Sequence, residues 1–120
     1  MHPLLLEDVS GGEQRAKVDE YPDTLFVVLW MMLDSEALHT EQFSVALGRR
    51  FVISFQNGTK DCLDPVRARL RRAGLMRDGG PDYLAYALID AVIDHYFPVV
   101  EHIGDRLEVL EENLLTRSTV

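Results

Sequence analysis

From Pro81 onward, apolar residues recur every three or four positions: Leu84, Leu88, Val92, Tyr96, Val99, Ile103, Leu107, Leu110 and Leu114. That period predicts one amphipathic helix of about 35 residues. A chain of 120 residues suits a single domain with one ordinary core, and such a core cannot cover so long a helix. The second half of the helix is therefore expected to pack on another helix or another chain. Pro98 should kink it, because proline removes a backbone donor and its ring crowds the preceding turn.

The residues ahead of this helix read as a different kind of structure. Pro3 suits the first turn of a short helix, Pro3 to about Val9, which Ser10-Gly11-Gly12 should stop. The run "TLFVVLWMM", Thr24 to Met32, is too short for a typical helix and rich in β-branched and aromatic residues, so it reads as a buried strand. Glu41–Leu47 and Phe51–Gln56 are two further strand-like runs, joined around Gly48-Arg49 by what reads as a primed turn with Gly first. Asp64-Pro65 marks a helix start with an N-cap acid, and Gly74 a stop, giving a helix of ten residues. The expected fold class is α+β: an antiparallel strand meander over 1–79 with a short helix, then one long helix over 80–117.

Charge narrows the partners. Twenty acidic against twelve basic residues leave a net charge of -8, which repels nucleic acid and anionic lipid and favours cations. The basic cluster Arg67, Arg69, Arg71, Arg72 and Arg77 lacks interleaved aromatics and reads as a solvated face or as partners for the acidic helix. A lone Cys62 points to a reducing compartment, cytoplasmic by default. The longest uncharged stretch, Thr24 to Leu33, is about half of what a membrane-spanning helix needs. "MHPLLL" does not read as a signal peptide. His2, His39, His95 and His102 include no pair at the spacing of a helical zinc site, and neither Cys62 nor Ser54 sits in a nucleophile context, so an enzyme is not expected.

Two acidic features remain. Glu7 and Asp8 close the first helix at the end where its dipole disfavours anions, so they are poor simple caps. Along the long helix Asp90, Asp94, Glu101, Asp105, Glu108 and Glu112 align at spacings of three, four or seven, either as a solvated face or as a cation-binding stripe. Asp90 and Asp94 lie in "YLAYALIDAVIDHYF", where apolar neighbours suggest that their charge needs compensation. Carboxylate oxygens suit a hard cation such as Mg2+.

The segments "HPLLLEDV", "QRAKVDEY" with "LFVVL", "EQFSVALGRRFVISFQ", "DPVRARLR" and "DYLAYALIDAVIDHYFPVVEHIGDRLEVLEENLL" together resemble the CorA magnesium and cobalt transporters, in order and spacing, over 1–117. The resemblance implies the cytoplasmic domain of a homopentameric divalent-cation channel, an α/β/α sandwich leading into helices that run to the cell membrane. It also implies that the family's first strands and helices, most of its stalk helix, its two membrane spans and its Gly-Met-Asn pore signature are missing here. In that family Mg2+ (with Co2+ as the alternative ion) binds carboxylates at subunit interfaces and holds the channel closed.

On that resemblance Asp8 matches an acid facing a neighbouring stalk helix, Glu7 and Asp90 match a second acidic grouping, and Asp94 lies one turn further along. Two departures touch loop geometry: Ala16 stands where the family has proline, and Glu13 where it often has histidine, adding a further oxygen. The alternatives are the soluble domain of a CorA-like zinc transporter and a stand-alone domain that pairs through the helix from Pro81 to Thr116.

Overall fold

The computed structural model describes residues 3–72, 74 and 78–118, with the side chains of Asp8, Ser10 and Ser118 outside the description. In chain order the elements are α1 (Pro3–Ser10), β1 (Lys17–Tyr21), β2 (Thr24–Asp34), β3 (His39–Gly48), β4 (Val52–Gln56), α2 (Asp64–Arg71), α3 (Gly80–Asp94) and α4 (Phe97–Ser118). The four strands form one antiparallel sheet in the order β1-β2-β3-β4, each paired with its sequence neighbour. The architecture is α+β, as the sequence implied.

Alternation along β2 and β3 explains the layering, because successive side chains point to opposite faces. Phe26, Val28 and Ala46 face α1 and are buried with its Leu5. Met31, Phe43 and Val45 face the other way and are buried with Val66 of α2 and with Ala85, Leu88 and Val92 of α3. The sheet therefore lies between α1 on one side and α2 with α3 on the other. Fully burying each of the larger side chains among these, Phe, Leu, Met or Val, contributes about 1.5–3 kcal/mol. A strand covered on both faces has no solvent side to make polar, which is why "TLFVVLWMM" is continuously apolar.

Several local expectations are corrected. The sheet has a fourth strand, β1, which pairs Lys17 with Val28 through Tyr21 with Thr24. The β3–β4 connection is closed by the Gly48 N–H donating to the Phe51 carbonyl at 2.9 Å, so Arg49 and Arg50 are its central residues. Among the described residues left-handed φ values fall at Gly12, Asp23, Leu38, Gly74 and Gly80, so this is not a primed turn with Gly first. Gly48 serves for space instead: a β-carbon there would stand 2.2 Å from the edge of the Phe51 ring, which would have to shift. At the β1–β2 turn Pro22 precedes Asp23 at φ +63°, a conformation that aspartate tolerates better than most residues.

The long helix is present as one bent helix in two parts, α3 and α4, interrupted at His95–Tyr96 just ahead of Pro98. By length and composition the stretch Gly80–Arg117 is apolar enough to cross a membrane, which a search for uncharged runs overlooks because Asp90 and Asp94 interrupt it. In this fold its first half is a core helix, with Ala85, Leu88 and Val92 buried against the sheet.

α2 is shorter than expected, ending at Arg71 because Arg72 turns to extended backbone, and its N-cap is Leu63 with no side-chain cap bond. Asp61, three residues earlier, ties down this helix start without capping it. Its carboxylate, 4% exposed, accepts two hydrogen bonds from Arg67, at 2.7 and 2.5 Å, one from the Leu63 N–H at 3.0 Å and one from Gln56 Nε2 at 3.1 Å. Arg67 also reaches Asp64 at 3.1 Å. The end of β4 is thereby stapled to the first turn of α2. The Arg67 bonds outweigh burial and hold the Asp61 carboxyl down to about 2, against 3.8 in an ordinary setting.

A depressed carboxylate stabilises the fold fully above its unfolded value and loses that contribution as pH falls through the folded one. From 3.8 to about 2 the linked free energy is about 2 kcal/mol. We expect Asp61→Asn to lower the unfolding free energy at pH 7 by about 2 kcal/mol. The gap between parent and variant should close between about pH 4 and pH 2 in urea titrations. A gap independent of pH would contradict the assignment.

Candidate cation-binding acids

The acids that the sequence singled out ride on the two outer layers of the sandwich. In α1 Leu5 faces the sheet at 0% exposure with Val9 beside it, which turns Glu7 outward. The backbone of Asp8 follows in the same turn, and its side chain lies outside the described residues. In α3 the buried positions Ala85, Leu88 and Val92 fix the inward stripe, so Asp90 and Asp94 fall on the exposed side. They are one turn apart and share that side with exposed Tyr86 and Ile93.

This corrects one step of the sequence argument. Asp90 and Asp94 are surrounded by apolar residues in sequence but not in space, so the cost of burying an unpaired charge does not arise. The structure brings Asp90 and Asp94 together and does not bring them to Glu7, because α1 and α3 pack on opposite faces of the sheet. Among the described residues no group of three or more His, Cys, Asp or Glu is close enough to hold a metal ion.

The donor chemistry nevertheless suits a hard cation: carboxylate oxygens, exposed and backed by rigid helices, of the kind that hold Mg2+ while it keeps several waters. Such a site needs a few carboxylates from one surface and further oxygens from whatever faces it.

The helix beyond the sandwich has its own pattern. Val100, Ile103, Leu107, Leu110 and Leu114 of α4 repeat at alternating steps of three and four and are 47–66% exposed, a seam of the coiled-coil type with nothing over it. Glu101, Asp105, Glu108 and Glu112 lie off that seam and are exposed. The basic cluster resolves into Arg67, held by Asp61 and Asp64, and Arg69, Arg71 and Arg72, which are exposed; Arg77 lies outside the described residues.

Sequence reasoning missed Tyr96. The three-and-four spacing makes it an apolar member of the helix stripe, yet its hydroxyl donates to the Trp30 carbonyl of β2. A tyrosine among aliphatic stripe residues is the one signal that a polar tip needs a partner there.

Comparison with known proteins places these features. A family model described as "CorA-like Mg2+ transporter protein" matches residues 1–119. The cobalt/magnesium transport protein CorA of Thermotoga maritima is 43% identical over 121 residues, covering 98% of this chain and 34% of that protein. YfjQ of Bacillus subtilis is 36% identical over 112 residues, covering 93% of this chain and 35% of its own length. The magnesium transporter ALR1 of Saccharomyces cerevisiae is 29% identical over 118 residues, covering 95% of this chain and 14% of its own length. The chain thus spans about a third of the length of the first two relatives.

Exposed acids that serve no intrachain contact contribute little to the fold. Asp90→Asn and Asp94→Asn, made singly, are expected to change the unfolding free energy by less than about 0.5 kcal/mol in urea at pH 7. A loss of about 2 kcal/mol or more would show that these carboxylates are bound within the chain itself.

Proposed function

Because the chain belongs to the CorA-like Mg2+ transporter family, we propose that it is the cytoplasmic, divalent-cation-sensing part of a Mg2+/Co2+ transport channel. In this reading Mg2+ bound between subunits holds the assembly closed, and its loss permits influx. Glu7, Asp8, Asp90 and Asp94 are the proposed regulatory ligands. The domain works at the cytoplasmic face of the cell membrane, to which it connects through spans outside this chain.

The observation that carries the reading is the placement of the acids. Glu7 on α1 and Asp90 and Asp94 on α3 are exposed on opposite outer layers, so a cation that engages either layer must draw its remaining ligands from a neighbour. A ring of identical subunits supplies such neighbours, each presenting its α1 face or its α3 face to the next. A cation seated there binds the assembled state and not the separated one, which is the differential affinity that any such switch requires. The uncovered seam on α4 supports the same reading, since it needs a helix from another segment or another subunit.

Transport, not catalysis, is what the names of the matched relatives describe. The seam alone also fits a domain that pairs helices without any ion. That alternative differs in one respect: association would be equally strong in chelator.

The test is made in the whole transporter reconstituted in lipid. Asp8→Ala combined with Asp90→Ala should raise the Mg2+ concentration needed for half-closure by about tenfold, read as ion influx against internal Mg2+. Inhibition by Mg2+ identical to the parent would overturn the assignment of these acids.

A further inference from the structure

α4 leaves the sandwich with little to aim it. Val99, 7% exposed, is its last buried residue, and from Val100 to Arg117 every residue is exposed except the half-buried His102. Its direction is therefore set at the junction with α3.

Three features meet at that junction. Pro98 has no N–H to give the Asp94 carbonyl, and its ring crowds that turn. The two residues ahead of α4 take tighter bonds, His95 N–H to the Val92 carbonyl at 3.3 Å and Tyr96 N–H to the Ile93 carbonyl at 2.9 Å; regular bonding resumes with Val100 N–H to the Tyr96 carbonyl at 3.1 Å. The backbone here is a break that other contacts must hold at one angle. The third feature is the side chain of Tyr96, whose ring packs beside the α3 core and whose hydroxyl donates to the Trp30 carbonyl.

The acceptor is well chosen for holding an angle. Trp30 lies in β2, the strand covered on both faces, and its own Nε1 donates to the Gln14 carbonyl at 2.9 Å, while the Gln14 N–H donates to Gln42 Oε1 at 2.7 Å. Tyr96 is thus tied to the strand that both helical layers cover, which is in turn tied to the loop that follows α1.

We propose that Tyr96 is a latch: its hydroxyl bond to β2 fixes the direction of α4 across the Pro98 break, and releasing that bond lets α4 swing as a rigid arm while the sandwich stays folded. A single hydroxyl bond suits a reversible device, because the ring keeps its packing when the bond opens. The seam on α4 moves with the arm, so whatever helix lies on it is repositioned. This inference concerns the chain's own mechanics and holds whichever ion the acids bind.

The test is a distance measurement by pulsed electron resonance between spin labels on Glu36→Cys, in the β2–β3 turn, and Glu112→Cys, on α4. Cys62→Ala removes the native thiol, and labelled chain is diluted into unlabelled chain. The parent should give one narrow distance distribution. Tyr96→Phe, which keeps the ring and loses the donor, should widen it about twofold, with the sheet's amide exchange unchanged. Trp30→Phe leaves the backbone acceptor in place and should stay narrow. Pro98→Ala added to Tyr96→Phe restores a donor to the Asp94 carbonyl and should narrow the distribution again.

An unchanged width in Tyr96→Phe overturns the latch. So does equal widening in Trp30→Phe, which would report general loosening. A Tyr96→Phe chain that fails to fold overturns it as well, since the bond would then hold the core together and could not open as a latch.

Discussion

The structure depends on β2 being covered on both faces. Phe26 and Val28 are buried under α1, Met31 is buried under α2 and α3, and β1 and β3 flank the strand. Remove either helical layer and an apolar face of the sheet meets water, at a cost of about 25 cal/mol for each Å² of apolar surface. The two helical layers are therefore held apart by the thickness of a sheet, and any side chain that points away from β2 points away from the other layer too. That constraint, more than any local feature of the acids, decides where Glu7, Asp90 and Asp94 stand.

From it follows the arrangement on which the functional account rests. Glu7 is exposed on one outer surface and Asp90 and Asp94 on the other, and the sheet between them keeps these acids from meeting at one ion. Ligands that cannot meet within a chain can meet between chains, and a cation then acts as a clasp whose occupancy reports its concentration.

Much of this was legible in the sequence, for reasons that differ by element. The apolar run from Thr24 to Met32 signalled its double burial directly, and the period from Leu84 to Leu114 signalled a long helix with a bend at Pro98. β1 was not legible, because "KVDEY" carries three charges in five residues and becomes a strand only by pairing with β2. Gly48 could be read as a turn glycine, but not as the floor under the Phe51 ring, which depends on a side chain three residues on. Asp61 and Asp64 compete for the same helix start, and the choice between them rests on the reach of Arg67, which no spacing rule encodes. For Asp90 and Asp94 the family resemblance named the residues, while the neighbours in sequence misjudged their surroundings; the phase of Ala85, Leu88 and Val92 gives the outward direction.

The most direct test of the account is amide hydrogen exchange on the whole transporter in lipid, followed in α1 and α3 as Mg2+ is titrated. If the outer-layer acids clasp a cation between subunits, protection in 5–10 and in 88–94 rises together, with one midpoint in Mg2+, and no such rise occurs in the separated 120-residue chain. Protection in those two segments that does not change between saturating Mg2+ and chelator would contradict it.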